Sequence, residues 1–363
     1  MPGVYISYPF CAQKCSFCNF ASGVSPMETR ARYERVLLDE MRRHEWKWIP
    51  ETVYLGGGTP SLMRLELLGE LMRMIPRQGL PEVTIECAPG SFKRETARAW
   101  PQAGVNRVSL GVQSFVTAEL RSTGRRHTAA TVVRDIEMLR EAGIQNINID
   151  LIAGLPEQTT ASWECSLHWI ERLQPTHVSV YIFEVDEDSR LGEEILSGGG
   201  RYGAKNLPSD DMTAGFYETA VERLASLGLA RYEISNFARE GWESRHNLKY
   251  WHLEPYIGFG LDAHSFDGKR RWSNPDTLDA YVAQNGAAMG SELRAASDHF
   301  EEHFFVGLRL TSGIEPQPEE WLRFAQPIEK WLEAGMLERS GSRLRLSDRG
   351  VLISNEIFQD FIQ

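Results

Sequence analysis

Only five cysteines occur in 363 residues, an odd number scattered without regular pairing, so a disulfide framework is excluded. No uncharged apolar run is long enough to cross a bilayer. Met1 to Tyr8 carry neither the basic stretch nor the apolar stretch of an export signal, so a cytoplasmic location is expected. Positive charge is in deficit: 39 Lys and Arg face 50 Asp and Glu, a net charge of −11 that argues against general nucleic-acid binding. Low-complexity tracts and long repeats are also missing. What remains is 42% hydrophobic and 25% charged, as in an ordinary globular protein, long enough for two domains and a small appendage.

The first positive feature is the spacing of Cys11, Cys15 and Cys18, C-x-x-x-C-x-x-C. Thiolates are soft donors matched to iron, and these gaps let one short loop wrap a 4Fe–4S cube. Three ligands leave the fourth iron open to chelate the amino and carboxylate groups of S-adenosylmethionine (SAM). Pro9-Phe10 and Phe17 supply apolar shielding. A zinc site would want four ligands with a second paired group, and Cys87 and Cys165 are isolated. Haem attachment through C-x-x-C-H is excluded because Asn19 follows Cys18.

From Gly3 to about Phe183 the pattern alternates strand and helix. Candidate strands are 4–7, 52–55, 82–86, 107–110, 146–151 and 177–183. Apolar stripes between them, such as Tyr33, Val36, Leu37 and Met41, have helical spacing. Six such units imply a parallel α/β sheet with right-handed crossovers and a site at the strands' C-terminal ends. Gly56 to Thr59, Glu86, Gln113 and Asp150 fall at or just beyond those ends. Segment 187–211 reads as a loop or boundary, and Tyr232 to Phe237 as another strand. Beyond residue 295, short helices and a strand at 343–346 suggest a winged-helix module, read here as packing or covering rather than binding DNA.

With the cysteine loop, the Gly56-Gly57-Gly58-Thr59-Pro60-Ser61 run and the carboxy-terminal motifs, the chain resembles one family over nearly its whole length. It is the radical SAM group that joins oxygen-independent coproporphyrinogen III oxidases to haem chaperones. The resemblance implies a partial (β/α)6 TIM-like barrel with an α+β extension. It divides the chain into a radical SAM core at 1–235, a connecting segment at 236–294 and a winged-helix-like domain at 295–363. It assigns the 4Fe–4S cluster to Cys11, Cys15 and Cys18. Tyr5, Gly57, Gly58, Thr59, Glu86, Gln113, Arg125 and Asp150 match SAM-contacting positions, and Glu184 and His264 align with two more. Arg125 suits the SAM carboxylate, and Glu86 and Asp150 suit its amino or ribose groups. His246-Asn247-Leu248-Lys249-Tyr250-Trp251 resembles the H-N-x-x-Y-W motif of the chaperones. There His246 would ligate haem b iron as an exposed imidazole, with Asn247, Tyr250 and Trp251 against the porphyrin.

Two departures favour the chaperone branch over the oxidase branch. The oxidases carry a fourth nearby cysteine where this chain has Phe20, and a longer segment before the loop, where this chain has ten residues. The chaperone reading implies haem or porphyrin as ligand, respiratory haemoproteins as recipients and an electron donor. A homodimer and peripheral membrane contact are states it leaves open. The alternative is SAM-dependent oxidative decarboxylation of coproporphyrinogen III to protoporphyrinogen IX.

Overall fold

The computed structural model describes residues 2–76, 78–79, 81–286 and 298–362. Its first six strands are β1 (Gly3–Tyr8), β2 (Thr52–Gly57), β3 (Glu82–Cys87), β4 (Arg107–Gln113), β5 (Asn146–Ala153) and β6 (His177–Ile182). They lie side by side in chain order, all parallel, as the alternating pattern predicts. Four of the next five strands, β7 (Ala230–Arg231), β8 (Asn236–Ala238), β10 (His264–Phe266) and β11 (Arg271–Ser273), run antiparallel to their neighbours at the two flanks. The other, β9 (Tyr256–Phe259), pairs parallel with β1, so one eleven-stranded sheet runs on past residue 235.

Strand sequences alternate strictly, and the alternation separates two surfaces. Val4, Ile6, Val53, Leu55, Val83, Ile85, Val108, Leu110, Ile147, Ile149, Val178 and Val180 are buried in the apolar core. Covering helices meet them with the expected stripes: Tyr33, Val36, Leu37 and Met41 on Met27–Arg43, Val132, Ile136 and Leu139 on Ala129–Glu141, and Trp163, Leu167 and Ile170 on Thr160–Leu173. The other face holds Tyr5, Thr52, Tyr54, Thr84, Glu86, Arg107, Ser109, Asn148, Asp150, His177 and Ser179. It is a polar lumen, and buried polar groups must bond to one another there. Asn148 Nδ2 donates to Ser109, Asp150 and Ser179 at 2.8, 2.6 and 3.0 Å, while Asn148 Oδ1 lies 2.7 Å from His177 Nδ1.

Helix Arg245–Trp251 sits against the strands' N-terminal ends. Glu82 holds its first turn: the carboxylate accepts from the backbone N–H groups of Arg245 and His246, both at 3.0 Å. Ser244 caps the same helix through Asn247 N. Beyond residue 298, short helices surround a hairpin of β12 (Leu337–Ser340) and β13 (Arg343–Leu346), and Ile314 bridges Leu344 as a third extended segment.

Two expectations change. The strand predicted at Tyr232 to Phe237 is broken, because Glu233 turns its backbone toward Leu310 and its carboxylate bonds Ser235 N and Asn236. Ile234 N then donates to Arg309 O, which ties the carboxy-terminal module to the barrel. Segment 187–211 is not a plain loop: Ser189 caps a helix at Arg190–Leu196, and Leu191 N donates to Ser16 O in the cysteine loop.

Replacing Glu82 with Ala strands two helix N–H groups, and one buried unsatisfied donor costs about 1–3 kcal/mol. Urea unfolding of that variant is expected to show a loss of about 2 kcal/mol or more; an unchanged midpoint would refute the role given to Glu82.

Candidate radical SAM site

The cysteine loop leaves β1 at its C-terminal end, and its path is fixed by close contact with the glycine run. Gly58 lies so near that a Cβ there would sit 2.7 Å from the Pro9 carbonyl carbon and 2.8 Å from Phe10 N. Gly57 has φ +101°, a conformation L side chains rarely adopt. Gly58 N donates to Tyr8 O and Thr59 N to Phe10 O, at 3.0 and 2.9 Å. Cys11 N donates to Gly23 O, Gly23 N to Pro9 O and Ser16 N to Thr123 O, which close the loop on itself and on the barrel.

This path gathers the three thiols. Cys11 Sγ and Cys18 Sγ each lie 3.9 Å from Ser22 Oγ. Burial raises the Cys15 thiol, Arg125 beside it lowers it, and the charges of Cys18 and Cys11 raise it. All five cysteines are free; Cys87 is buried in the core and Cys165 is exposed on a helix. Among the described residues no group of three His, Cys, Asp or Glu closes on a single metal ion. Three neighbouring thiols, two of them beside the Ser22 hydroxyl, with no fourth cysteine near them among the described residues, fit three irons of a cluster and not tetrahedral zinc.

Most of the residues expected to contact SAM meet at this mouth. Tyr5 stacks on Tyr54 with ring centroids 6.1 Å apart, and Tyr54 OH donates to Glu86 at 2.8 Å. Burial, opposed by that bond and reinforced by Asp150, lifts the Glu86 carboxyl to about 7. Burial also raises Asp150, whose oxygens accept from Asn148 and Ser109. Gln113 ends β4 with φ 71°, a strained value for a residue with a side chain, at a shift in the β4–β5 register. Its Oε1 is buried without a partner, as is Arg125 Nε, among the described residues. Arg125 also donates to Gly111 O and lies over the Phe17 ring at 5.9 Å. A strained amide and a guanidinium with unspent bonding capacity at a polar mouth fit a zwitterionic ligand. Glu184 instead accepts from Asn355 Nδ2 at 2.9 Å, and His264 is exposed beside Asp262.

The H-N-x-x-Y-W segment is elsewhere. His246 touches the β2 residue Thr52, and six residues at about 3.3 Å each put it roughly 20 Å from the strand end that meets the cysteine loop. Its expected exposure is corrected: His246 is 1% exposed. Its Nδ1 lies 2.8 Å from Thr52 Oγ1 and its Nε2 2.9 Å from Tyr250 OH, and the ring stacks on Tyr54. Burial lowers its pKa to about 3. With both nitrogens engaged, the imidazole does not fit an axial iron ligand. Asn247 is half-buried, and Arg309 lies over the Trp251 ring at 4.5 Å, so these residues join the barrel to the carboxy-terminal module.

Comparison with known proteins follows the same outline. Residues 5–170 match the radical SAM superfamily, and 295–353 match the HemN C-terminal domain. The "Heme chaperone HemW" of Bacillus subtilis is 33% identical, over 100% of this chain and 99% of that one. The protein of the same name from Lactococcus lactis is 31% identical, over 99% and 96%. This chain belongs to the HemW family of radical SAM proteins. The Escherichia coli coproporphyrinogen III oxidase HemN, a solved structure, shares its fold with TM-score 0.85 at 21% identity, covering 99% of this chain and 90% of that one. The TIM-like α/β barrel expected from sequence is therefore the fold. No helix among the described residues is long and apolar enough to cross a membrane.

Sequence reading missed three members of this HemW-family site. Ser22 links two thiols, Arg107 is 1% exposed in the lumen with Nε unpartnered among the described residues, and Ser109 braces Asp150. For Arg107 and Ser109 the signal was present, as polar residues at every second position of a parallel strand that would otherwise be apolar on both faces; Ser22 lies in the cysteine loop and carried no such signal.

Glu86 also sets a pH dependence. Its folded pKa of about 7 exceeds the ordinary 4.5, so the folded state holds the extra proton between those values. Its favourable contribution is full below about 4.5 and is lost as pH rises through 7, by on the order of 3 kcal/mol. Glu86→Gln is expected to remove that part of the slope in the ligand-free protein; parallel wild-type and variant curves from pH 5 to 8 would contradict it.

Proposed function

We propose that this protein is a haem-binding chaperone that carries a 4Fe–4S cluster and SAM and delivers haem b to respiratory haemoproteins. The observation that carries the radical SAM part is the convergence of Cys11, Cys15 and Cys18 on the lumen mouth without a fourth cysteine. Those three thiolates would hold the cluster. Arg125 would pair with the SAM carboxylate, the Gly57 to Thr59 backbone would line its methionine end, and Glu86 and Asp150 would accept from amino and ribose groups. When bound, the cluster supplies the electron that breaks a sulfonium carbon–sulfur bond. Because Glu86 keeps its proton to about pH 7, accepting a hydrogen bond from an ammonium draws that proton off, and SAM binding is coupled to pH.

The haem part of the reading is supported by full-length similarity to proteins named heme chaperones. Phe20, which stands where the oxidases have a cysteine, is 66% exposed, with Val24 and Met27 also exposed nearby. Such an apolar surface beside the cluster loop suits a docking partner such as an electron donor. A reduced cluster would suit the reducing environment of the cytoplasm, the location this reading implies.

The test uses anaerobically reconstituted full-length protein with SAM and reductant, given haem in one sample and coproporphyrinogen III in another. Stoichiometric haem binding without vinyl product is expected. Conversion to protoporphyrinogen IX by mass spectrometry would replace the chaperone with the oxidase.

A further inference from the structure

One short helix joins the two halves of the site, and a carboxyl sealed inside the protein holds it there. The helix, Thr117–Ser122, follows Gln113 at the end of β4 and precedes Arg125. Glu119 on it is 0% exposed, as are Ser114 and Thr123. Packing alone would call for an apolar residue here, because a carboxyl is rarely buried so fully without bonded partners. The bonds of Glu119 reach two neighbouring strand ends. Ser114 Oγ, next to Gln113, donates to Glu119 Oε2 at 2.6 Å and accepts from Val116 N at 2.9 Å, so the turn out of β4 closes on the carboxyl. Gln158 Nε2 approaches the same oxygen at 3.4 Å. Gln158 is itself fixed just past β5, where its Oε1 accepts from Gly154 N at 2.6 Å and its Nε2 donates to Ile152 O at 3.1 Å.

The backbone of Glu119 carries the connection onward. Its carbonyl accepts from Thr123 N and Thr123 Oγ1, at 3.2 and 3.0 Å, which turns the chain at the helix end. Thr123 O then accepts from Ser16 N at 3.1 Å, between Cys15 and Cys18, and Gly124 O accepts from Gln13 Nε2. Arg125 N donates to Leu120 O at 2.7 Å, and the Arg125 guanidinium returns to Gly111 O on β4. Gln113, Arg125 and the cysteine loop thus hang on one six-residue helix. A helix so short does not hold its place by its own hydrogen bonds. Buried Leu120 gives it an apolar grip, which is non-directional; the bonds of Glu119 set its rotation.

We propose that Glu119 is a positioning residue for SAM: it sets the helix that presents Gln113 and Arg125 to the ligand and keeps both in register with the cysteine loop. Sealed in the interior, it acts through Ser114 and Thr123. The inference rests on the SAM-binding reading above and adds to it a residue that the family resemblance did not match to that ligand.

The experiment titrates anaerobically reconstituted, reduced full-length protein with SAM and follows the cluster by electron paramagnetic resonance. Glu119→Ala is expected to keep the cluster signal but to need about tenfold more SAM for the same g-value shift. Glu119→Gln keeps an accepting oxygen for Ser114 and is expected to stay within about threefold of wild type. Ser114→Ala removes one bond and is expected to fall between the two. Glu82→Ala, which loosens the far end of the barrel, is expected to respond to SAM as wild type does. A wild-type response in Glu119→Ala, or in Ser114→Ala where the first variant does not fold, would overturn the proposal. An equal loss in Glu82→Ala would also overturn it, by showing that any loosening of the fold weakens SAM binding. A wild-type cluster indifferent to SAM would instead remove the SAM reading, and this inference with it.

Discussion

Everything at the site depends on one constraint: six parallel strands carry polar residues on the face that closes inward. Parallel strands buried on both sides normally read as continuous apolar runs. Here the inner face holds Arg107, Glu86, Asp150, His177 and Asn148, and none can be left without compensation away from water. The network around Asn148 meets part of that demand. The rest appears as raised carboxyls at Glu86 and Asp150 and, among the described residues, as orphaned atoms, of which those of Gln113 and Arg125 lie at the strands' C-terminal ends, where ligand groups could meet them. At the opposite end, His246 and Tyr250 close the lumen with a histidine–tyrosine contact. Binding capacity and structural closure are thus separated along the strand axis.

The second constraint is steric and couples two distant stretches of chain. A loop of thiols cannot hold a defined geometry unless its backbone is fixed. Gly58 fixes it by packing directly under Pro9 and Phe10, a space no side chain can enter. The cysteine spacing and the glycine run therefore form a single structural unit, though some forty residues separate them in sequence. Thr123 and Leu191 add anchors from two further segments, and Gly23 closes the loop on itself.

Legibility in the sequence follows from how local each feature is. The first six strands and the helix stripes depend on spacing within a few residues, and those readings match the structure. Glu86, Gln113 and Asp150 were readable as strand-end positions because strand ends in a parallel barrel converge, whereas Arg125 came from the family resemblance alone. Features set by distant partners were not. Nothing near His246 in sequence says that Thr52 and Tyr54 will enclose it, 192 or more residues earlier. Glu233 looks like one more strand residue until Leu310 bridges it.

The central claim is that three cysteines hold a cluster with one iron open to SAM at the lumen mouth. Electron paramagnetic resonance of the reduced, reconstituted full-length protein tests it most directly, with and without SAM. The expected result is a 4Fe–4S signal whose g-values shift on SAM addition and which loses that shift in Arg125→Ala, with the cluster retained. A cluster signal indifferent to SAM in the wild-type protein would contradict the open iron and the site built around it.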